Sequence, residues 1–128
     1  MLTDDVRSYA EGPNFATLTT LREDGAPTTQ VMWIGCDETS LLINTEEHRR
    51  KAANVARDPR VNVVIWDKNN PYHYVEVRGR VVETIGGQRA RDHIDELSQK
   101  YAGRPYDPSA IQSARVILRI EPTHQRTR

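Results

Sequence analysis

Six β-prone runs, Phe15 to Leu21, Thr28 to Ile34, Leu41 to Asn44, Val61 to Trp66, Tyr74 to Val82 and Arg115 to Ile120, dominate the chain. Several are joined by connections too short to carry a parallel crossover, which restricts them to antiparallel pairing. The strongest signal is the first pair: FATLTTL, a turn at Arg22-Glu23-Asp24-Gly25-Ala26-Pro27, then TTQVMWI. Asp24-Gly25 suits a turn that needs positive φ, where glycine has no Cβ to clash. A second hairpin joins VNVVIW to YVEVRGRVV through the loop Asp67 to Pro71. In its second strand Val75, Val77 and Val81 share one face and Glu76, Arg78 and Arg80 the other, as in a sheet with one wet side. An antiparallel sheet of this size loses its exposed edges by curling closed, so the expected fold is mainly β, an α+β six-stranded barrel with peripheral helices.

Two helices are expected. Thr45 has the character of an N-cap, with Glu46 and Glu47 in the first turn of a helix running to Arg57 and stopped by Asp58-Pro59. After Gly86-Gly87, the residues Ala90, Ile94, Leu97 and Tyr101 recur at helical spacing. Gly35 to Ser40 and Gly103 to Pro108 read as loops, and the residues after Ile120 as a polar tail.

At 128 residues and 14.6 kDa the chain has the length of one domain, residues 1–128, which leaves no room for a separate nucleotide-binding domain. Eighteen Lys and Arg balance eighteen Asp and Glu, so no global field gathers nucleic acid or an anionic membrane, and any anion site must be local. Cys36 is the only cysteine, which excludes an intrachain disulfide and fits a reducing, cytoplasmic location. Met1 to Ala10 lacks the apolar stretch of a signal peptide or anchor, and no segment is apolar enough to span a bilayer. His48, His73, His93 and His124 lack metal-ligand spacing, and neither a nucleophile triad nor a glycine-rich phosphate loop is present.

One segment is out of balance. His48-Arg49-Arg50-Lys51 crowds cations at the amino end of a helix, where anions are usually preferred. A solvated basic face is the plainer explanation. The functional one is a phosphate site formed by free backbone N–H groups, the Thr45 hydroxyl, Arg49 and Lys51. A second constellation, Asn69-Asn70-Pro71-Tyr72-His73-Tyr74, concentrates aromatics in a loop, and either a planar ligand or a subunit contact accounts for Tyr72. Trp33 and Trp66 lie inside strand patterns, where core or interface packing is the default.

Taken in order, FATLTTLREDGAPTTQVMWI, NTEEHRRKAANVARDPRVNVVIW and NPYHYVEVRGRVV resemble the split β-barrel flavin/deazaflavin oxidoreductase superfamily, the pyridoxamine 5'-phosphate oxidase-like family. More narrowly they resemble its B-type branch, which uses the deazaflavin coenzyme F420. The likeness runs from Phe15 to Ile120. It implies an FMN-binding type of split barrel forming a homodimer, with two cofactor sites in the grooves between subunits. Residue by residue, it assigns the phosphate to Arg49, Arg50 and Lys51, with Asn54 in the same motif. Thr28, Thr29, Gln30, Val31 and Met32 fall beside the ring, Asn44 and Thr45 beside the ribityl and phosphate, and Pro71 and Tyr72 reach across from the second subunit.

The implied activity is an F420-dependent reductase that passes a hydride to an activated double bond of a planar substrate such as an enone, quinone or tetrapyrrole. FMN is the alternative cofactor, since it shares the ring, ribityl and first phosphate. The oligoglutamate tail of F420 would fall to Arg22, Arg57 or Arg60. The arginine-rich C-terminal region that pyridoxamine-phosphate oxidases use is not expected, because the sequence runs only a few residues past Pro122. A non-catalytic carrier of the same cofactor is the rival from another class; neutral charge and sparse aromatics disfavour nucleic acid as a partner.

Overall fold

The structure is a computed structural model that describes residues 1–128. In chain order its elements are α1 (Asp4–Glu11), β1 (Ala16–Leu21), β2 (Pro27–Met32), β3 (Gly35–Cys36), β4 (Leu41–Glu46), α2 (Arg50–Arg57), β5 (Arg60–Asp67), β6 (Asn70–Ile85), α3 (Gly87–Ala102) and β7 (Arg115–Thr127), with a single 3-10 turn at Pro108–Ala110. All strand pairings are antiparallel, in the spatial order β2-β1-β5-β6-β7-β4-β3.

The first hairpin forms as its turn chemistry dictates. Gly25 sits at φ 86°, Arg22 N–H donates to Ala26 O, and the Asp24 carboxylate accepts from Ala26 N–H. Alternation then sorts the faces: Ala16 and Leu18 of β1, Val61, Val63 and Ile65 of β5, and Val75 and Val77 of β6 point into one apolar core. Leu41 and Ile43 of β4 and Val116, Leu118 and Ile120 of β7 complete it. The opposite faces of β4 and β7 carry Leu42 and Ile117, which pack with Ala90 of α3. Being covered on both sides, these two strands read as continuous apolar runs rather than alternating ones.

Three departures from the sequence expectation matter. First, there are seven strands rather than six. The extra one, β3, lies where a plain turn was expected; the Asp37 carboxylate accepts from Thr39 N–H and Ser40 N–H, closing a tight hairpin that lets Gly35 and Cys36 pair with Leu42 and Leu41. Secondly, the tail is ordered sheet. Strand β7 pairs with β6 as far as Val75↔Thr127, and Arg128 N–H donates to Tyr74 O. Two register shifts, at Arg78/Gly79 and Val81/Glu83, bend the long strands into the curve that makes this possible. Thirdly, α1 was not expected at all. Thr3 caps it by accepting from Val6 N–H, Asp4 and Asp5 occupy the first turn, and Val6 and Ala10 enter the core.

Helix α3 lies along β4 and β7 and fastens the β2–β3 connection. Its Lys100 Nζ donates to Ala10 O and Ile34 O at 2.7 and 2.5 Å, and its Tyr101 hydroxyl donates to Asn14 O and accepts from Ile34 N–H. No helix is long and apolar enough to cross a membrane.

Candidate cofactor site

The basic segment does not start a helix where its composition suggested. Thr45 and Glu46 remain in strand β4, held by ladder pairing to Val116 and Arg115 of β7. Helix α2 therefore begins at Arg50, with Arg49 at the N-cap and no side chain capping it. Thr45 shares the inner face with Leu41 and Ile43 and is buried, so it is not an N-cap. Its β-branched side chain favours the strand it occupies. The backbone N–H groups of Arg50 and Lys51 are consequently free of intrahelical and side-chain partners, whereas those of Ala52 and Ala53 donate to Arg49 O.

Between β4 and α2 the chain makes a turn pinned from below by residues 112–114. Glu47 N–H donates to Ala114 O, His48 Nδ1 lies 2.5 Å from Ser113 Oγ, and Gln112 N–H donates to Glu46 Oε1 at 2.8 Å. Expected in the first turn of the helix, Glu46 instead ends β4 and is 1% exposed. Burial alone would raise its carboxyl, but the Gln112 N–H, Arg115, His48 and Arg49 outweigh that and hold it below the ordinary range. Its Oε2 has no hydrogen-bond donor and is approached by His48 Nδ1 at 3.4 Å and Arg49 Nε at 3.9 Å.

Two fixed cations, Arg49 and Arg115, stand around this one carboxylate. Arg115 NH1 is 3.6 Å from Glu46 Oε1. Neither Arg50 nor Lys51 makes an ion pair or a side-chain hydrogen bond. Lys51 is half-buried, and burial first, then Arg49 and Arg115, push its ammonium below the usual lysine value. Lys51 is thus a half-buried cation without an acid partner, a position where an unneutralised charge is costly.

Register places β2 next to this segment. Thr20 of β1 lies directly opposite Thr28 of β2, and Asn54 of α2 donates its Nδ2 to Thr20 Oγ1 at 3.0 Å. Thr28, Gln30 and Met32 therefore share the face on which α2 sits. Thr29 and Val31 point to the other face, where Thr29 meets the Thr19 hydroxyl at 2.7 Å and Val31 is 63% exposed. As an edge strand, β2 leaves the backbone groups of its outer side unpaired.

Two assigned residues turn out to be committed to the scaffold. Asn54 is buried, spends its Nδ2 on Thr20, and accepts from Arg57 at 3.0 Å. Asn44 accepts from Arg115 Nε at 2.8 Å, which fixes its amide so that Nδ2 donates to Ala90 O and His93 Nδ1. Pro71 and Tyr72 are not on a loop but in the first residues of β6, beyond a tight turn at Lys68-Asn69. Tyr72 is 85% exposed at the Trp66 end of the hairpin. Helix α2 is at the far end, beside Leu21, whose carbonyl accepts from Arg57. Six residues of β1 separate the two ends, roughly 17 Å at strand rise. One chain does not bring Tyr72 to Lys51.

Arg115, Trp33 and Tyr106, which motif reading did not select, line a cavity with Met32 and Asn44. Trp33 is stacked on Tyr101 at 5.2 Å and 2°, with Tyr106 edge-on at 6.3 Å. Trp66, the other strand tryptophan, packs beside Phe15 at 6.3 Å.

Residues 2–128 match the family model described as pyridoxamine 5'-phosphate oxidase. Among solved structures, one titled F420 reductase is 30% identical, with a TM-score of 0.84 over 98% of both chains. A conserved hypothetical protein from Mycobacterium tuberculosis is 23% identical, with a TM-score of 0.78 over 99% of this chain and 84% of that one. A putative pyridoxamine 5'-phosphate oxidase from Listeria innocua is 21% identical, with a TM-score of 0.70 over 97% and 95%. No curated protein matches the sequence. The antiparallel sheet, its helices and these matches together identify the architecture as the split β-barrel, and the chain belongs to the pyridoxamine 5'-phosphate oxidase-like superfamily of flavin/deazaflavin oxidoreductases.

Proposed function

We propose that the protein is a homodimeric F420-dependent reductase whose cofactor phosphate docks on Arg49, Arg50 and Lys51. The observation that carries the reading is the half-buried Lys51, free of any acid partner, beside uncapped N–H groups on the helix whose Asn54 reaches the Thr20–Thr28 pair. A phosphate would supply a negative partner for Lys51, with further cations and free backbone N–H donors available from the same segment. The choice of F420 is supported by the 30% identity to a protein titled F420 reductase.

Bound there, the reduced deazaflavin would supply a hydride to an activated double bond. The chain's own contribution is binding and orientation. The α2 cations would fix the phosphate, the free edge of β2 would offer backbone donors and acceptors to the ring edge, and Gln30 would add a side-chain amide. Asn44, locked by Arg115, Ala90 and His93, would hold the wall of the site rigid. A second subunit would bring Pro71 and Tyr72, which lie at the wrong end of their own sheet. Exposed Val31 and Tyr72 support such a contact.

FMN is the second reading, because these residues face only the parts that both cofactors share. Fluorescence titration of the apoprotein with F420 and FMN in parallel decides between them, with tighter binding of F420 expected. Replacing Arg49 and Lys51 together by Ala should weaken that binding by several kcal/mol, at about 1.5–3 kcal/mol per charge-assisted contact. Unchanged affinity would remove the phosphate site.

A further inference from the structure

The cavity beside the β2 terminus has a composition unlike the phosphate corner. It measures about 330 Å³ and is bounded by Met32, Trp33, Asn44, Ile94, Tyr106 and Arg115. Met32 and Ile94 give it apolar surface, and Trp33 and Tyr106 give it flat walls. The indole cannot swing, because Tyr101 covers one of its faces at 5.2 Å and the Tyr101 hydroxyl is tied to Asn14 O and Ile34 N–H. Tyr106 is fixed as well: its N–H donates to Asp95 Oδ1 at 3.0 Å and the Arg115 guanidinium lies 5.3 Å from its ring centroid. These walls are set before any ligand arrives.

The remaining wall is Arg115, whose side chain is 9% exposed. A guanidinium carries five N–H donors. Only Nε makes a hydrogen bond, to Asn44 Oδ1, while NH1 stands 3.6 Å from Glu46 Oε1, an ion pair beyond hydrogen-bond length. The remaining N–H donors of Arg115 are free for a ligand in the cavity that the side chain lines, and a planar fork matches a carboxylate best.

We infer that this cavity is the acceptor-substrate pocket and that it takes a flat, one- or two-ring conjugated molecule whose carboxylate pairs with Arg115. The inference rests on the reductase reading for the word substrate, but the site itself does not. Its volume is at the small end for ligand pockets, so a whole tetrapyrrole does not fit inside. Trp33 and Tyr106 select flat conjugated molecules, and Arg115 selects acids over neutral analogues.

Calorimetric titration of the purified full chain with trans-cinnamate and with trans-cinnamamide tests this, since the two probes have nearly the same shape and differ in charge. Cinnamate should bind at least about tenfold more tightly, the equivalent of one charge-assisted contact. Arg115→Gln should abolish that preference, and Tyr106→Leu should weaken both probes to a similar extent. Arg115→Lys keeps the positive charge opposite Glu46. If the glutamine variant does not fold, the lysine variant should show a reduced but surviving preference. Equal binding of the two probes, a preference undiminished by both Arg115 variants, or loss of cinnamate binding on saturation with F420 would overturn the assignment, the last by giving the cavity to the cofactor. Parallel F420 and FMN titrations separate the two claims. Coenzyme binding without cinnamate binding removes the pocket alone, whereas cinnamate binding without either coenzyme removes the reductase reading and leaves a carboxylate site.

Discussion

Asn44 shows how a single residue can look like a ligand contact and act as a keystone. Arg115 Nε donates to its Oδ1, so the amide cannot turn, and its Nδ2 must donate to Ala90 O and to His93 Nδ1. The neutral His93 ring therefore carries its proton on Nε2. His93 is 3% exposed. Burial first, then Arg89, Lys100 and Arg115, drive its pKa from 6.5 to about 4. Since the folded value lies below the unfolded one, the unfolded chain takes up the proton first. The contribution of neutral His93 to stability is fully present above pH 6.5, drains away as pH falls toward about 4, and is constant below that. A gap of this size corresponds to roughly 3 kcal/mol. Urea denaturation at pH 7 and pH 4.5 should show His93→Gln losing some 2–3 kcal/mol less on acidification than the parent chain; equal losses would mean that the ring is charged in the fold. Arg49 and Lys51 were legible in the sequence because charge is visible letter by letter. Arg115 was not, because its partner Asn44 is 71 positions away, and Glu46 was misplaced because local pattern favours an acid in a first helical turn over one buried under a cation cluster.

At the scale of elements, turn residues and alternation were enough for the two hairpins and the amphipathic α3, all of which are local devices. What escaped was decided by pairing. Thr45 has a capping side chain and a strand-forming one in the same residue, and the β4–β7 ladder settles the choice. The residues after Ile120 are polar, yet β6 offers them a partner, and Pro122, which cannot donate to a ladder, is accommodated at the register shift opposite Gly79. That shift makes Gly79 obligatory for a steric reason. A Cβ there would lie 2.5 Å from Glu121 O and 3.0 Å from Ile120 Cγ2, and the first of these is backbone that cannot rotate aside. Gly79→Ala should cost about 1–3 kcal/mol, the usual range for overpacking. Gly86→Ala, with open space around the added methyl, is the matched control. Thermal melts of the pair should show a large drop only for Gly79→Ala; matching melts would mean that the β6–β7 curve tolerates a wider spacing than the bulge suggests.

For the whole molecule, the decisive fact is that the two halves of the proposed site, one on α2 and one on β6, lie at opposite ends of the sheet. Lys51 stands at the Leu21 end, while Tyr72, 85% exposed, stands at the Trp66 end. If the site is built between subunits, each cofactor meets Lys51 of one chain and Tyr72 of the other, and a twofold axis generates two such sites. A mixing experiment follows from that geometry. Lys51→Ala and Tyr72→Ala homodimers should each bind cofactor weakly. In a mixed dimer the two lesions fall together in one site and the other site is intact. Random reassociation of equal amounts makes half of all dimers mixed, so about a quarter of all sites should recover full affinity. Titration of the mixture against each parent variant reads this directly. No recovery, in a mixture shown by mass spectrometry to contain the mixed dimer, would mean that Tyr72 and Lys51 serve the same subunit or different purposes. The shared groove would then be lost, although the phosphate corner at α2, which depends on one chain alone, would stand.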